Sequence, residues 1–275
     1  MNDWKQQMKT RLTPIAEVFL GKGGLERKPL LRPVQPRPIA QMMKDLRALE
    51  ESVWAEYAFS RDPLKGRFTP EQKKRWDKLA NECGREYAKK MQQKYGTRDP
   101  HELAKRMGVT VEKPDMPKDL GRVLFAEFKV PNHVYLYMDA VHKAHATLSR
   151  PGMQKVMTSA LDVERLLLAH ELFHYVEEQY KREIFTKTEK IDLPTIPPFK
   201  NRSTVRSLDE LAGMAFAREL NNLPYSPYLL DVMLMYGYSQ DGAIRLYEEI
   251  MTMAGVPIPE PEEEAYSAPL SIYDV

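Results

Sequence analysis

The chain has a single cysteine, Cys83, in 275 residues, which excludes an intramolecular disulfide and any cysteine-rich zinc or iron–sulfur centre. Long apolar runs are missing too, since no segment approaches the roughly 20 apolar residues that span a bilayer. The stretch Ile15-Ala16-Glu17-Val18-Phe19-Leu20 follows a basic N-terminus but is short, interrupted by Glu17 and followed by no small-residue cleavage signal, so it does not read as a secretory leader. An excess of one charge is also lacking. Lys plus Arg number 41 and Asp plus Glu 39, a formal net charge of +2, which gives no global pull toward nucleic acid or acidic lipid. Internal repeats are not evident. What remains is 43% hydrophobic and 29% charged, the balance of a folded protein expected to be soluble and, having no bridges, cytoplasmic.

Residues 4–20 suit a short helical arm broken at Pro14, after which Gly21, Gly23 and Gly24 and then Pro29, Pro33, Pro36 and Pro38 enforce an extended linker. Apolar positions from Met42 to Ala58 predict one helix over 39–59. Thr69 can cap another reaching about Tyr95, with Pro70 at the first helical position, where a missing N–H costs nothing. Cys83 shares its stripe with Trp76, Ala80, Tyr87 and Met91 and reads as core. Asp99-Pro100 starts a short helix that Gly108 ends. This resembles the first half of a helix-turn-helix, but Pro114 and Pro117 stand where the reading helix would lie, so direct DNA contact is not expected.

Residues 122–129 and 133–138 have strand composition around the turn Pro131-Asn132 and predict a small antiparallel sheet. His133, His142 and His145 nearby are read as solvated or locally bonded. Thr158 or Ser159 would cap a core helix reaching Tyr180 or beyond, followed by an irregular, Pro-rich stretch over 192–202. Ser207 is expected to cap a helix over 208–221, and further helices are expected over 227–236 and 241–251. The chain therefore divides into an N-terminal helical region with its Gly/Pro linker (1–98), a domain over 99–256 and a surface tail over 257–275. The fold class is α+β and predominantly helical.

The core helix carries His170-Glu171-Leu172-Phe173-His174, an HExxH motif. Residues four apart on a helix are offset by about 40° and rise about 6 Å, so both imidazoles can converge on one cation, while Glu171 on the adjacent flank can serve as a general base. The motif helix, the preceding strands and a downstream helix together suit a zincin-like arrangement with one Zn2+ per chain. A catalytic zinc ordinarily takes three protein ligands, and Glu210 is the leading third candidate, on a helix rich in the small residues Ala212, Gly213, Ala215 and Ala217. Asp209, Glu177 and Glu178 remain open. A competing role is open as well: Ser207-Leu208-Asp209-Glu210 fits a capping box, which would consume the Glu210 carboxylate.

Over roughly residues 99–225 the chain resembles the ImmA/IrrE family of zinc metallopeptidases, found in bacteria, phages and mobile elements. The resemblance rests on Leu103-Ala104, on Met107-Gly108-Val109-Thr110-Val111, on Leu167 to His174, and on Glu210, Gly213, Phe216-Ala217 and Leu220. It implies that Glu210 is the third zinc ligand beside His170 and His174, that Glu171 is the catalytic base, and that the substrate is a protein or peptide, in relatives often a helix-turn-helix repressor. Phe173 stands where the family usually has Gly, and Gly213 where it commonly has Ala. The alternative from another class is a regulatory interaction protein that holds metal without cleaving peptides.

Overall fold

Apolar side chains recur at helical spacing through most of the chain, and helices accordingly carry the architecture seen in the computed structural model, which describes residues 33–116, 124–159, 161–193 and 201–262. The expected arm over 4–20, the linker up to residue 32, the prolines of 194–200 and the tail from 263 onward lie outside the described residues. In place of one helix over 39–59 there are two, α1 (Ile39–Arg47) and α2 (Glu51–Arg61). Glu50 is extended between them, and the break lets Met42, Met43 and Leu46 on one side and Trp54, Tyr57 and Phe59 on the other reach the same core.

α3 (Pro70–Tyr95) begins as expected. The Thr69 side chain accepts from the Gln72 N–H and the Gln72 side chain accepts from the Thr69 N–H, satisfying two otherwise unpaired donors. α4 (Pro100–Met107) is capped by the Asp99 carboxylate and ends at Gly108, whose φ of 72° suits a residue without a Cβ. The chain then enters β1 (Thr110–Glu112), not a second helix. With β2 (Ala126–Lys129) and β3 (His133–Leu136) it forms a sheet of order β1-β3-β2. β2 and β3 pair antiparallel as expected, but β1 runs parallel to β3, so the sheet is mixed and not purely antiparallel. At three residues, β1 is too short to show an alternating pattern.

Met138, expected at the end of a strand, opens α5 (Met138–Leu148), whose buried face is Ala140, Val141, Ala144 and Thr147. His142 and His145 are on its exposed side, and His133 lies 3.4 Å from Glu112. After the single turn α6 (Met153–Val156), the motif helix α7 (Val163–Gln179) starts at Asp162, which accepts from the Arg165 N–H at 3.1 Å, and not at Thr158 or Ser159. The short α8 (Phe185–Thr188) follows. The ends of the stretch expected to be irregular pair as β4 (Ile191–Leu193) and β5 (Asn201–Ser203). Next come α9 (Arg206–Asn221), a tight turn at 227–229 running into α10 (Leu230–Tyr236), and α11 (Gln240–Met253). Among the described residues no helix is long and apolar enough to cross a membrane.

Buried side chains from α1–α3 and from the later elements join one continuous apolar core. Cys83 is part of it, and burial pushes its thiol up to about 12. Near the other end of the chain, Arg37 donates to the Pro259 carbonyl at 2.6 Å and Gln41 to that of Glu260 at 2.7 Å, so the start of the expected tail is tied to α1.

α3 and α9 pack with their backbones in close approach. A Cβ on Gly84 would fall 2.1 Å from the Ala212 carbonyl oxygen and 2.8 Å from the Ala215 Cβ, so the two backbones touch where no side chain intervenes. Gly84→Ala is expected to destabilise the protein by about 2 kcal/mol or more, read as a lower urea midpoint. Gly66→Ala, at a position with nothing within 4 Å, should leave the midpoint within error; equal midpoints for all three proteins would refute the close contact.

Candidate metal centre

α7 is apolar on nearly every side, with Leu166, Leu167, Leu168, Leu172, Phe173 and Val176 buried around the motif, and this carries His170, Glu171 and His174 into the interior. Their fractional exposures are 2%, 1% and 9%. The two imidazoles lie one turn apart with Nε2 atoms 3.2 Å from each other. Phe173 is fully buried, its ring 5.6 Å from that of Phe216, so its bulk is taken up between α7 and α9.

α9 supplies Glu210, 5% exposed, with carboxylate oxygens 3.4 Å from His170 Nε2 and 3.7 Å from His174 Nε2. The capping box expected at this helix does not form. α9 begins at Arg206 with no side-chain cap of its own, and Asp62, just past α2, instead accepts from the Ser207 N–H at 2.8 Å and its hydroxyl at 3.0 Å. An external carboxylate thus meets the unpaired N–H groups and the positive end of the helix, leaving Glu210 free to face α7. Gly213 makes the approach possible, because a Cβ there would lie 3.0 Å from His170 Cε1 and 3.1 Å from Nδ1.

The structure thus brings together His170, His174 and Glu210, one ligand atom from each lying within 4.8 Å of the others. Desolvation lowers the pKa of His170 and takes that of His174 down to about 3, so both rings are neutral and can offer lone pairs. Desolvation raises Glu210 to about 8 and Glu171 to about 8, where His170 lowers and Glu210 raises the latter in turn. Oxygens of Glu171 and Glu210 are buried without a hydrogen-bond partner. Tetrahedral bonds of about 2.1 Å separate ligand atoms by about 3.4 Å, close to the 3.2 Å between the two Nε2 atoms and the 3.4 Å from His170 Nε2 to the nearer Glu210 oxygen. Two nitrogens and a carboxylate at this spacing, with orphaned oxygens beside them, fit a divalent cation.

The remaining candidates are engaged elsewhere. Glu177 is fully buried and holds His174 Nδ1 at 3.0 Å, which places the ring proton on Nδ1 and the lone pair on Nε2. It also accepts from the Thr186 hydroxyl and pairs with Lys187 at 2.9 Å. Asp209 pairs with Lys187 at 2.6 Å, and Glu178 with Lys181 at 2.7 Å. Glu177, expected only as a possible ligand, instead supports His174, and its position three residues on, on the same helix face, is the sequence signal for that role. Thr186 and Lys187 gave none. Comparison with protein-family models, curated proteins and solved structures yields no match for the chain.

These shifts fix the sign of a pH dependence. In the metal-free protein Glu171 and Glu210, raised from 4.5 to about 8, keep protons that the unfolded chain has lost, so stability falls as pH rises toward 8. The histidines, lowered from 6.5, act in the opposite sense only below about 6.5. Denaturation midpoints of chelated protein are therefore expected to fall between about pH 6.5 and 8, and a bound divalent cation should reduce the fall. A midpoint independent of pH in chelator would contradict the burial of these carboxylates.

Proposed function

We propose that the protein is a zinc-dependent endopeptidase, with His170, His174 and Glu210 as metal ligands and Glu171 as general base. The observation that carries this reading is the convergence of those three ligand atoms beside a buried carboxylate with an unpartnered oxygen. The resemblance to ImmA/IrrE peptidases supports it, and so does the donor set of two nitrogens and one oxygen, which suits zinc and leaves one coordination position for chemistry. When bound, zinc would polarise the scissile carbonyl and lower the pKa of water at the site.

The chain's own groups do the rest. Glu177 fixes the His174 tautomer, and Glu210 neutralises cationic charge in a site from which water is largely excluded. Glu171 takes a hydrogen bond from the Phe128 backbone, which orients its carboxylate from β2. Its other oxygen takes the proton of the attacking water and delivers it to the departing amine. An extended polypeptide is the substrate class, and a regulatory repressor is the partner that the resemblance implies.

Near-complete burial of the four side chains favours the rival reading, a metal-holding interaction protein, and one substitution separates the two. Glu171→Gln should retain zinc at wild-type stoichiometry while peptide hydrolysis falls by at least about 100-fold; activity unchanged by this replacement would remove the peptidase assignment. By elemental analysis, His170→Ala and Glu210→Ala should each lose most bound zinc, and occupancy equal to wild type in both would reject the ligand set.

A further inference from the structure

The two ligand imidazoles are not supported alike. His174 Nδ1 is held by Glu177 at 3.0 Å, whereas His170 Nδ1 is buried with no hydrogen-bond partner among the described residues. Ligating histidines ordinarily bond their second nitrogen to a carboxylate, a carbonyl or water, which fixes tautomer and ring orientation. His170 borders a small cavity of about 20 Å³, walled by apolar groups such as Leu167, Met214, Ala217 and Leu234. Its two polar side chains are His170 and Asp231. That volume has room for one water molecule, and an imidazole N–H and a carboxylate are the polar groups at its wall that could partner it.

Asp231 is itself held from behind. It lies in the first turn of α10, 2% exposed, and accepts from the Tyr57 hydroxyl of α2 at 2.8 Å. The Tyr57 ring lies under the Arg61 guanidinium at 4.5 Å, and Arg61 is paired with Glu249 at 2.6 Å. A buried carboxylate beside a tyrosine serves no evident packing need, since an apolar residue would fill the same space.

We propose that Asp231 is the positioning residue of His170, acting through one water in this cavity, with Tyr57 fixing the carboxylate. The inference rests on the reading of His170 as a metal ligand. His170 Nδ1–H donates to the water, the water donates to Asp231, and the imidazole is left with its lone pair on Nε2, toward His174 and Glu210. Helices α2 and α10, which contribute no ligand, thereby orient the metal centre.

Zinc affinity, measured by competition with a chromophoric chelator, tests this without any assay of activity. Asp231→Asn and Ala217→Val, the second filling the cavity without touching a polar group, should each weaken zinc binding about tenfold. Asp231→Glu, whose longer side chain can take the place of the water, should restore affinity to within a few-fold of wild type. Val232→Ala, on the same helix but outside the cavity, should lower stability and leave affinity unchanged. In cobalt-substituted protein the visible band should shift for Asp231→Asn and Ala217→Val but not for Val232→Ala. Wild-type affinity in both Asp231→Asn and Ala217→Val, together with loss of zinc in His170→Ala, would overturn the water relay and leave the metal centre standing. Zinc retained in His170→Ala would instead defeat the underlying ligand assignment.

Discussion

The close approach of α9 to α3 and to α7 governs how the site is assembled. On one side Gly84 of α3 lies against the Ala212 carbonyl, and on the other Gly213 lies beneath the His170 ring. Small residues bring helix backbones closer than ordinary side chains allow. That closeness brings a carboxylate on α9 within 3.4 Å of an imidazole on α7. Larger residues at these positions would keep the same sequence motif but separate its partners.

Proximity alone would leave an expensive cluster of ionisable groups in a dry interior. The structure offsets part of that cost with a second row of charges, in which Lys187 bridges Glu177 and Asp209 and Glu177 in turn holds His174. Burial also keeps the imidazoles neutral and the Glu171 and Glu210 carboxylates protonated in the absence of a cation. A divalent ion would reverse that state, since it requires deprotonated ligands and compensates their charge. A buried cluster of this kind is costly without a cation and would become less so with one.

The helices before residue 99 do more than extend the core. Asp62 caps α9 from outside, which releases Glu210 from the local role that its own sequence suggests, and Tyr57 reaches Asp231 from α2. Both contacts join residues more than 140 positions apart, so no local pattern foreshadows them. Range separates the two caps as well: α7 is capped by the adjacent Asp162, a few residues from the expected position, whereas α9 is capped by a distant chain segment.

The sequence by itself determined that His170, Glu171 and His174 share one helix, because a period of 3.6 residues and a heavy apolar content leave little other choice. It also determined the long capped α3, the short helix ending at Gly108 and the pairing of β2 with β3, all set by nearby residues. It named Glu210 only as the foremost of several carboxylates. Tertiary structure decided among them, turning Glu177 and Asp209 toward Lys187 and Glu210 toward the imidazoles. It also decided the parallel partner of β1, the break between α1 and α2, and the surroundings of His170. The physical reason is range: caps and periodicity act within a turn or two, whereas which carboxylate meets a ring depends on how closely two backbones pack.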